Sequence, residues 1–175
     1  AALGQMVANL TVGKKKYAAV EETMQEVLGK LQTCQADFLD LVDQDAKVFA
    51  PLAAAYALPT STEEEKQEKA RIMEERLLAA SLVPLHMMEK AAEMLEFLEI
   101  LAEKGSRMAV SDVGVAVQFA RTALTGAIMN VYINTKSMKQ RDEAEKINQK
   151  AEKLLEEGTK RADLVYEKVL ARLKK

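Results

Sequence analysis

The sequence predicts an all-α fold, an antiparallel bundle of five or six helices, from its composition and its periodicity. The 175-residue chain contains only 7 glycines, 3 prolines and no tryptophan. Alanine, leucine, glutamate and lysine, which favour helices over strands, are abundant. Apolar residues recur at three- and four-residue spacing over long stretches, which is the helical period. A chain of this length fits a single helical domain, residues 1–175, with a core that needs neither disulfides nor metal.

Composition also narrows the class of partner and the compartment. The 25 lysines and arginines nearly balance the 27 acidic residues, so nothing favours nucleic acid or an anionic membrane as a partner. Cys34 is the single cysteine, as in proteins of the reducing cytoplasm. The chain starts without methionine, in the middle of a helical pattern and with no secretory signal. We therefore expect that the first residues of the natural chain are missing here.

The first two helices are separated by a basic turn. A short helix from residue 1 to about residue 12 ends at Gly13, and a run of three lysines follows at 14–16. Lysines are favourable at a helix end because they oppose the macrodipole, and they could equally hold a polyanionic or carboxylate-bearing ligand. A long helix then covers residues 18–57, and Pro51 should kink it.

The third and fifth helices carry clear boundary signals. Thr62 and Glu65 form a capping box that opens the third helix, and Gly105 ends it. Pro84 should bend or break this helix. The fifth helix, residues 140–173, repeats an apolar residue at each turn with charges elsewhere, which is typical of an outer helix.

The fourth helix, residues 111–134, is apolar on nearly every side. This pattern predicts that it is buried and favours packing against a second copy in a homodimer. A membrane span is disfavoured, because Arg121 would lie at its centre. Ser111 and Asp112 stand where the helix should start, and an aspartate there is either an ordinary cap or part of a site.

Two asparagines near the end of the fourth helix point in the same direction. Asn130 and Asn134 are four residues apart and therefore share a face. A polar pair on a buried helix either bridges helices across the core or contacts a ligand. The sequence leaves both interpretations open.

Asp45 is the carboxylate with the most unusual predicted position, because it falls within an apolar stripe of the second helix. A carboxylate that loses its solvation on such a face favours its protonated form and becomes a plausible general acid or base near neutral pH. It could also be a buried aspartate that pairs with a lysine or caps a neighbouring helix. The stripe consists of Phe38, Leu41, Val42, Val48, Phe49 and Leu52.

The sequence predicts no metal site. One histidine, His86, and one cysteine cannot form a zinc site, and the carboxylates show no paired metal-ligand motif. His86 and Cys34 are therefore interpreted as structural residues, since neither stands in a pattern that would activate it.

Four segments together resemble one family. They are MVANLTVGKKKY at 6–17, LVDQDAKVFAPLAAAYALP at 41–59, SDVGVA at 111–116 and NVYIN at 130–134. In this order they are similar to the formiminotetrahydrofolate cyclodeaminase and methenyltetrahydrofolate cyclohydrolase family, in its stand-alone form. Members of that family carry a short segment rich in glycine and serine just before the first helix, and this sequence begins after it.

The resemblance implies an all-helical homodimer whose substrate is a tetrahydrofolate derivative carrying a one-carbon unit, with no metal. The implied reaction is cyclodeamination of 5-formiminotetrahydrofolate to 5,10-methenyltetrahydrofolate and ammonia. The alternatives are cyclohydrolysis of 5,10-methenyltetrahydrofolate or a non-catalytic helical dimer module. The resemblance implies catalytic roles for Asp45 and Asp112, and substrate-binding roles for Asn9, Lys14, Ser111, Asn130 and Asn134.

Overall fold

The protein folds into five α-helices joined by short connections, as seen in a computed structural model that describes residues 1–174. No strand occurs within these residues, and the all-α prediction is confirmed. Two short 3₁₀ helices, Lys15–Val20 and Arg107–Ala109, lie in the connections. The α-helices are α1 (Ala2–Asn9), α2 (Glu21–Tyr56), α3 (Glu63–Lys104), α4 (Val110–Thr135) and α5 (Arg141–Leu173).

Helix α3 is the centre of the bundle and packs against each of the other four α-helices. Two contacts between α2 and α3, and two between α4 and α5, show that both pairs are antiparallel. Helix α4 follows α3 after a short connection and its far end reaches back to Ala80, so α4 also runs antiparallel to α3. Apolar side chains from all five helices form one buried cluster. Its largest fully buried members include Met24, Leu31, Met88, Leu95 and Leu98.

The predicted boundary residues of α3 are confirmed. The Thr62 hydroxyl accepts a hydrogen bond from the Glu65 backbone N–H at 3.2 Å, and the Glu65 carboxylate accepts one from the Thr62 N–H at 3.2 Å. Gly105 follows the last residue of α3. Pro51 and Pro84 both lie inside unbroken helices, so neither proline ends a helix.

The start of α4 differs from the prediction. The helix begins at Val110 with Ala109 as its N-cap and no side-chain cap. Ser111 and Asp112 therefore lie inside the first turn, and their predicted capping role is wrong. The preceding 3₁₀ turn runs directly into the helix, which moves the helix start one residue towards the N-terminus, from 111 to 110. Asp112 still places a negative charge near the positive end of the helix dipole.

The prediction that α4 is buried on every side is also wrong for the single chain. Its inner face packs against the other helices, but Phe119, Met129 and Ile133 on its outer face are 66%, 69% and 63% exposed. The reason is that α4 lies at the surface of the bundle, with α5 along one edge and none of residues 1–174 covering its outer face. Within residues 1–174, no helix is both long and apolar enough to cross a membrane.

Candidate functional site

Asp45 is exposed, and the prediction that it faces the core is wrong. Leu41 and Leu52 point into the bundle and are 5% and 2% exposed, whereas Val42 and Phe49 are each 61% exposed. Asp45 is four residues after buried Leu41 and four before exposed Phe49, so it lies at the edge where the buried stripe meets the outward face. The second half of α2 contacts α3, and it buries a narrower stripe than the sequence pattern predicted.

Four of the predicted site residues gather where α1 ends and α4 begins. The segment after α1 is fixed to the α3–α4 connection by two hydrogen bonds. The Ser106 backbone N–H donates to the Thr11 hydroxyl at 2.9 Å, and the Arg107 backbone N–H donates to the Tyr17 hydroxyl at 3.0 Å. Asn9, Lys14 and Ser111 are exposed at this end, and Asp112 is half-buried.

A basic cavity of about 700 Å³ opens beside these residues. Four cationic side chains and one carboxylate, Glu103, contribute to its wall. The hydrogen bond from the Arg107 backbone lowers the pKa of Tyr17, which also lines the cavity. The excess of positive charge suits a ligand that carries several carboxylates. The cationic side chains are those of Lys16, Lys104, Arg107 and Arg172.

Sequence reasoning missed three of these cationic residues. Lys104 and Arg107 flank Gly105, and their position on either side of a helix end was a signal that could have been used. Arg172 is 65 residues further along the chain than Arg107. It reaches this end because α5 runs back along α3, where its guanidinium donates to the Ala102 carbonyl.

The other three predicted residues lie near the opposite end of α4. The Asn134 side chain donates a hydrogen bond to the Ala80 carbonyl of α3 at 2.9 Å. It therefore bridges two helices, which is the first of the two interpretations that the sequence left open. Asn130 is exposed, and its amide is 3.5 Å from the Gly126 carbonyl of its own helix. Its contacts therefore leave it free to face a ligand.

Asp45 lies at about the same height along the bundle as Asn130 and Asn134, and these three residues form the second group of predicted site residues. On one side of it, Lys90 of α3 pairs with Asp37 of α2 at 2.8 Å. On the other side, Lys69 of α3 donates to the Tyr56 carbonyl at 2.8 Å. Counting residues between these two contacts places Asp45 level with Ala80, the residue that Asn134 contacts.

The two groups are far apart within one chain. Asp112 and Asn130 are 18 residues apart on α4, which is five helical turns and about 27 Å. They lie on the same edge of the helix because 18 residues complete whole turns. No single reacting group can touch both residues of one chain.

Two other cavities of comparable size lie on the surface. An apolar groove of about 460 Å³ runs between α4 and α5, and its walls include Ser111, Gly114 and Phe119. A cavity of about 710 Å³ between α3 and α5 contains none of the predicted site residues. Two of its carboxylates already pair with Arg161, at 2.8 Å from Glu96 and 3.8 Å from Glu99.

The residues with metal-binding or nucleophilic side chains are dispersed. Across residues 1–174, no three histidine, cysteine, aspartate or glutamate side chains are grouped so that they could hold a metal ion. His86 is exposed. Cys34 is buried, and desolvation raises the pKa of its thiol, which disfavours the reactive thiolate.

Comparison with known proteins identifies the family. The model of the formiminotransferase-cyclodeaminase family matches residues 1–153. The chain belongs to this family. The resemblance expected from the four sequence segments is thereby confirmed.

Individual relatives include enzymes of both predicted kinds. The chain is 38% identical to a methenyltetrahydrofolate cyclohydrolase of Methylorubrum extorquens over 99% of its own length and 83% of the relative. It is 34% identical to the formimidoyltransferase-cyclodeaminase of Mus musculus over 98% of its own length, but spans only 32% of that protein. The structure resembles that of formiminotetrahydrofolate cyclodeaminase from Thermotoga maritima, with a TM-score of 0.78 and 27% identity. The alignment covers 99% of this chain and 80% of the other.

Proposed function

We propose that this protein hydrolyses 5,10-methenyltetrahydrofolate. The observation that carries this proposal is the 38% identity to a methenyltetrahydrofolate cyclohydrolase, which extends over nearly the whole of this chain and most of the relative. The exposed polar residues on the folded chain supply the acid–base and cationic groups that such a reaction needs.

In the proposed reaction, a water oxygen attacks the methenyl carbon that bridges two folate nitrogens. The water must lose a proton as the carbon–oxygen bond forms, and one nitrogen must gain a proton as its bond to that carbon breaks. A carboxylate can accept the first proton and return it to the leaving nitrogen. Asp112 and Asp45 are our candidates for this transfer. The hydroxyl left on the carbon loses its proton to solvent as the carbonyl forms, so the cationic methenyl bridge and water yield a neutral formyl group on the other nitrogen and one released proton.

The basic cavity gives a role to the Lys14 segment. Folate substrates end in glutamate carboxylates, and we infer that Lys14 and the cationic lining of the cavity hold this tail. Asp112 lies in the first turn of α4, close to the connection that lines the cavity. The tail and the reacting carbon could then be held from the same end of the bundle.

Cyclodeamination of 5-formiminotetrahydrofolate is the second candidate, favoured by the likeness to the Thermotoga maritima cyclodeaminase over 99% of the chain. In that reaction the folate nitrogen at position 10 attacks the formimino carbon and loses its proton. The former imino nitrogen gains that proton and a second one from solvent and leaves as ammonia, and the methenyl bridge that remains is a cation. The same carboxylates would carry both protons, so the residues do not separate the two reactions.

We further propose that the protein acts as a homodimer in the cytoplasm. The exposed apolar face of α4 supports the dimer, because large apolar side chains that follow one helix face usually pack against a partner. The single, buried cysteine supports a reducing compartment.

An absorbance assay with two substrates tests the proposal. The purified protein is given 5,10-methenyltetrahydrofolate in one cuvette and 5-formiminotetrahydrofolate in another, and the methenyl band is followed in both. We expect faster loss of the band in the first. A rise of the band with ammonia release in the second would assign cyclodeamination instead. A folded dimer that changes neither rate would be a non-catalytic module, and the proposed function would be wrong.

A further inference from the structure

The outer face of α4 has a pattern that matches itself when reversed. Six of the nine exposed residues of α4 follow one stripe at alternating spacings of four and three residues. Spacings read from either end are the same, and the midpoint falls at Leu124. A helix with this pattern presents the same surface to an antiparallel copy of itself. The stripe is Val115, Phe119, Thr122, Gly126, Met129 and Ile133.

Side-chain sizes along this stripe also fit an antiparallel copy. Reversal about the midpoint places Val115 opposite Ile133 and Phe119 opposite Met129, so large apolar residues meet at both ends. Thr122 meets Gly126 at the centre, where small residues let two helices approach closely. A Cβ added at Gly126 would have no atom within 4 Å in the single chain, so nothing within the chain accounts for a glycine at this position.

The charges of α4 favour the same arrangement. No charged residue occurs on the stripe, while Asp112 lies in the first turn and Lys136 directly follows the last turn. An antiparallel pair brings the end with the negative side chain of one helix beside the end with the positive side chain of the other. It also sets the two helix dipoles side by side in opposite directions, which is favourable.

We propose that two copies pack antiparallel along α4, so that Asp112 of one copy and Asn130 and Asn134 of the other line a single substrate cleft. This inference rests on the proposed folate function for the identity of the substrate. It accounts for the separation of the predicted site residues, because the two ends of α4 that are about 27 Å apart in one chain become neighbours between chains.

The edges of the stripe determine which residues meet. Helix α5 lies along one edge, where Arg121 pairs with Asp163 at 2.8 Å and Tyr132 donates to Glu152 at 2.8 Å. Asp112 and Asn130 lie along the opposite edge. A two-fold axis sets each edge against the same edge of the second copy. Asp112 therefore faces the asparagine end of the second copy, and the dimer contains two such clefts.

Asp45 falls beside the same cleft, whereas the basic cavity opens on the edge of α4 that faces α5. Asp45 is level with Asn134 within its own chain, on the side of α3 away from α5. Lys14 lies at the Asp112 end. The antiparallel pair therefore brings Asp45 of one copy to the end of the bundle where Lys14 of the other copy lies, and the second copy can supply the desolvation that the single chain does not give Asp45.

Cross-linking between single-cysteine positions tests the arrangement without any substrate. Val115→Cys and Ile133→Cys variants are mixed and treated with a short bifunctional thiol reagent. We expect a covalent dimer only in the mixture, because two copies of either position lie about 27 Å apart in the antiparallel pair. The native protein is the control, since Cys34 is 1% exposed. Dimers from either variant alone would indicate parallel packing, and no cross-link in any sample would indicate another interface. Both results would overturn the proposal.

Subunit complementation tests whether the cleft is shared. Asp112→Asn and Asn130→Ala are each expected to lose most activity as homodimers. After mixing and subunit exchange, a mixed dimer contains one cleft with both native residues. We expect recovery of about a quarter of the wild-type rate, since half of the dimers are mixed and one of their two clefts is intact. No recovery despite mixed dimers, or full activity of Asn130→Ala alone, would overturn the proposal. If the wild-type protein is inactive on both folates, the proposed function fails, and the cross-linking result alone decides the arrangement.

Discussion

Thr11 and Ser106 join the two segments that frame the Lys14 end of the bundle. The Thr11 hydroxyl accepts a hydrogen bond from the Ser106 backbone N–H at 2.9 Å and donates one to the Val7 carbonyl at 2.8 Å. Both residues are buried, at 1% and 6% exposure. This hydroxyl therefore holds the lysine segment against the connection that leads into α4.

Thr11→Val should destabilise the protein, because it keeps the side-chain shape but leaves the buried Ser106 N–H without an acceptor. The expected loss is about 1–3 kcal/mol in the free energy of unfolding, measured by urea denaturation. Thr33→Val is the matched control, since the exposed Thr33 hydroxyl bonds only to the Gly29 carbonyl of its own helix. Equal stability of the two variants would show that the Thr11 contact contributes nothing specific.

Phe119→Glu should convert the protein from dimer to monomer, because it places a charge in the proposed α4 interface. Light scattering coupled to size-exclusion chromatography measures the mass directly. Leu39→Glu is the control, since Leu39 on α2 is 64% exposed and Phe119 is 66% exposed. A dimer that survives Phe119→Glu but dissociates in Leu39→Glu would move the interface to α2.

The phenols of Tyr17 and Tyr132 should ionise in that order as the pH rises. The hydrogen bond from the Arg107 backbone lowers the pKa of Tyr17, while desolvation and the hydrogen bond to Glu152 raise the pKa of Tyr132. Ultraviolet titration of Tyr17→Phe and Tyr132→Phe variants measures this order. The reverse order would contradict both hydrogen bonds.

These opposite shifts have opposite effects on stability. The raised pKa of Tyr132 gives a contribution that is present below the ordinary tyrosine value of about 10 and is lost as the pH rises through the folded pKa. The lowered pKa of Tyr17 gives a contribution that is present above the ordinary value and is lost as the pH falls through the folded pKa. Thermal unfolding of the two variants across this alkaline range checks both signs.

Arg107→Ala should weaken binding of a folate with several glutamates more than binding of the monoglutamate. The guanidinium lines the basic cavity, and loss of one exposed charge pair should raise the KM for the longer substrate about two- to fivefold with little change in kcat. Lys153→Ala is the control, because Lys153 is on α5 and its side chain is 73% exposed. If the substitution raises the KM of both substrates equally, the glutamate tail does not bind in this cavity.

Features that depend on neighbouring residues in the sequence were predictable. The capping box of Thr62 and Glu65 formed as expected because its hydrogen bonds close within one helical turn. The apolar stripe of α5 was also right, since Ile147, Ala151 and Val165 are buried as predicted. In a helix that packs with one face inward, apolar residues recur every three or four positions, and this spacing can be read directly from the sequence.

Asp45 and the outer face of α4 were not predictable in the same way. Whether Val42 and Phe49 point inward depends on how many helices pack beside the second half of α2, which the period of the sequence does not record. Similarly, α4 has apolar residues on all sides, and the period of the sequence does not record which side faces its own bundle and which is left exposed. The fold was predicted from local pattern, whereas the arrangement of the site depends on packing between distant segments.

The most direct measurement of the central claim is the decay rate of 5,10-methenyltetrahydrofolate with the wild-type protein, Asp45→Asn and Asp112→Asn at matched unfolding stability. The account predicts that the wild type accelerates the decay, and that each substitution lowers kcat by about a hundredfold or more, because each removes a group that transfers protons. Their urea midpoints should stay close to the wild-type value. Full activity in both variants would contradict the assigned role of these carboxylates.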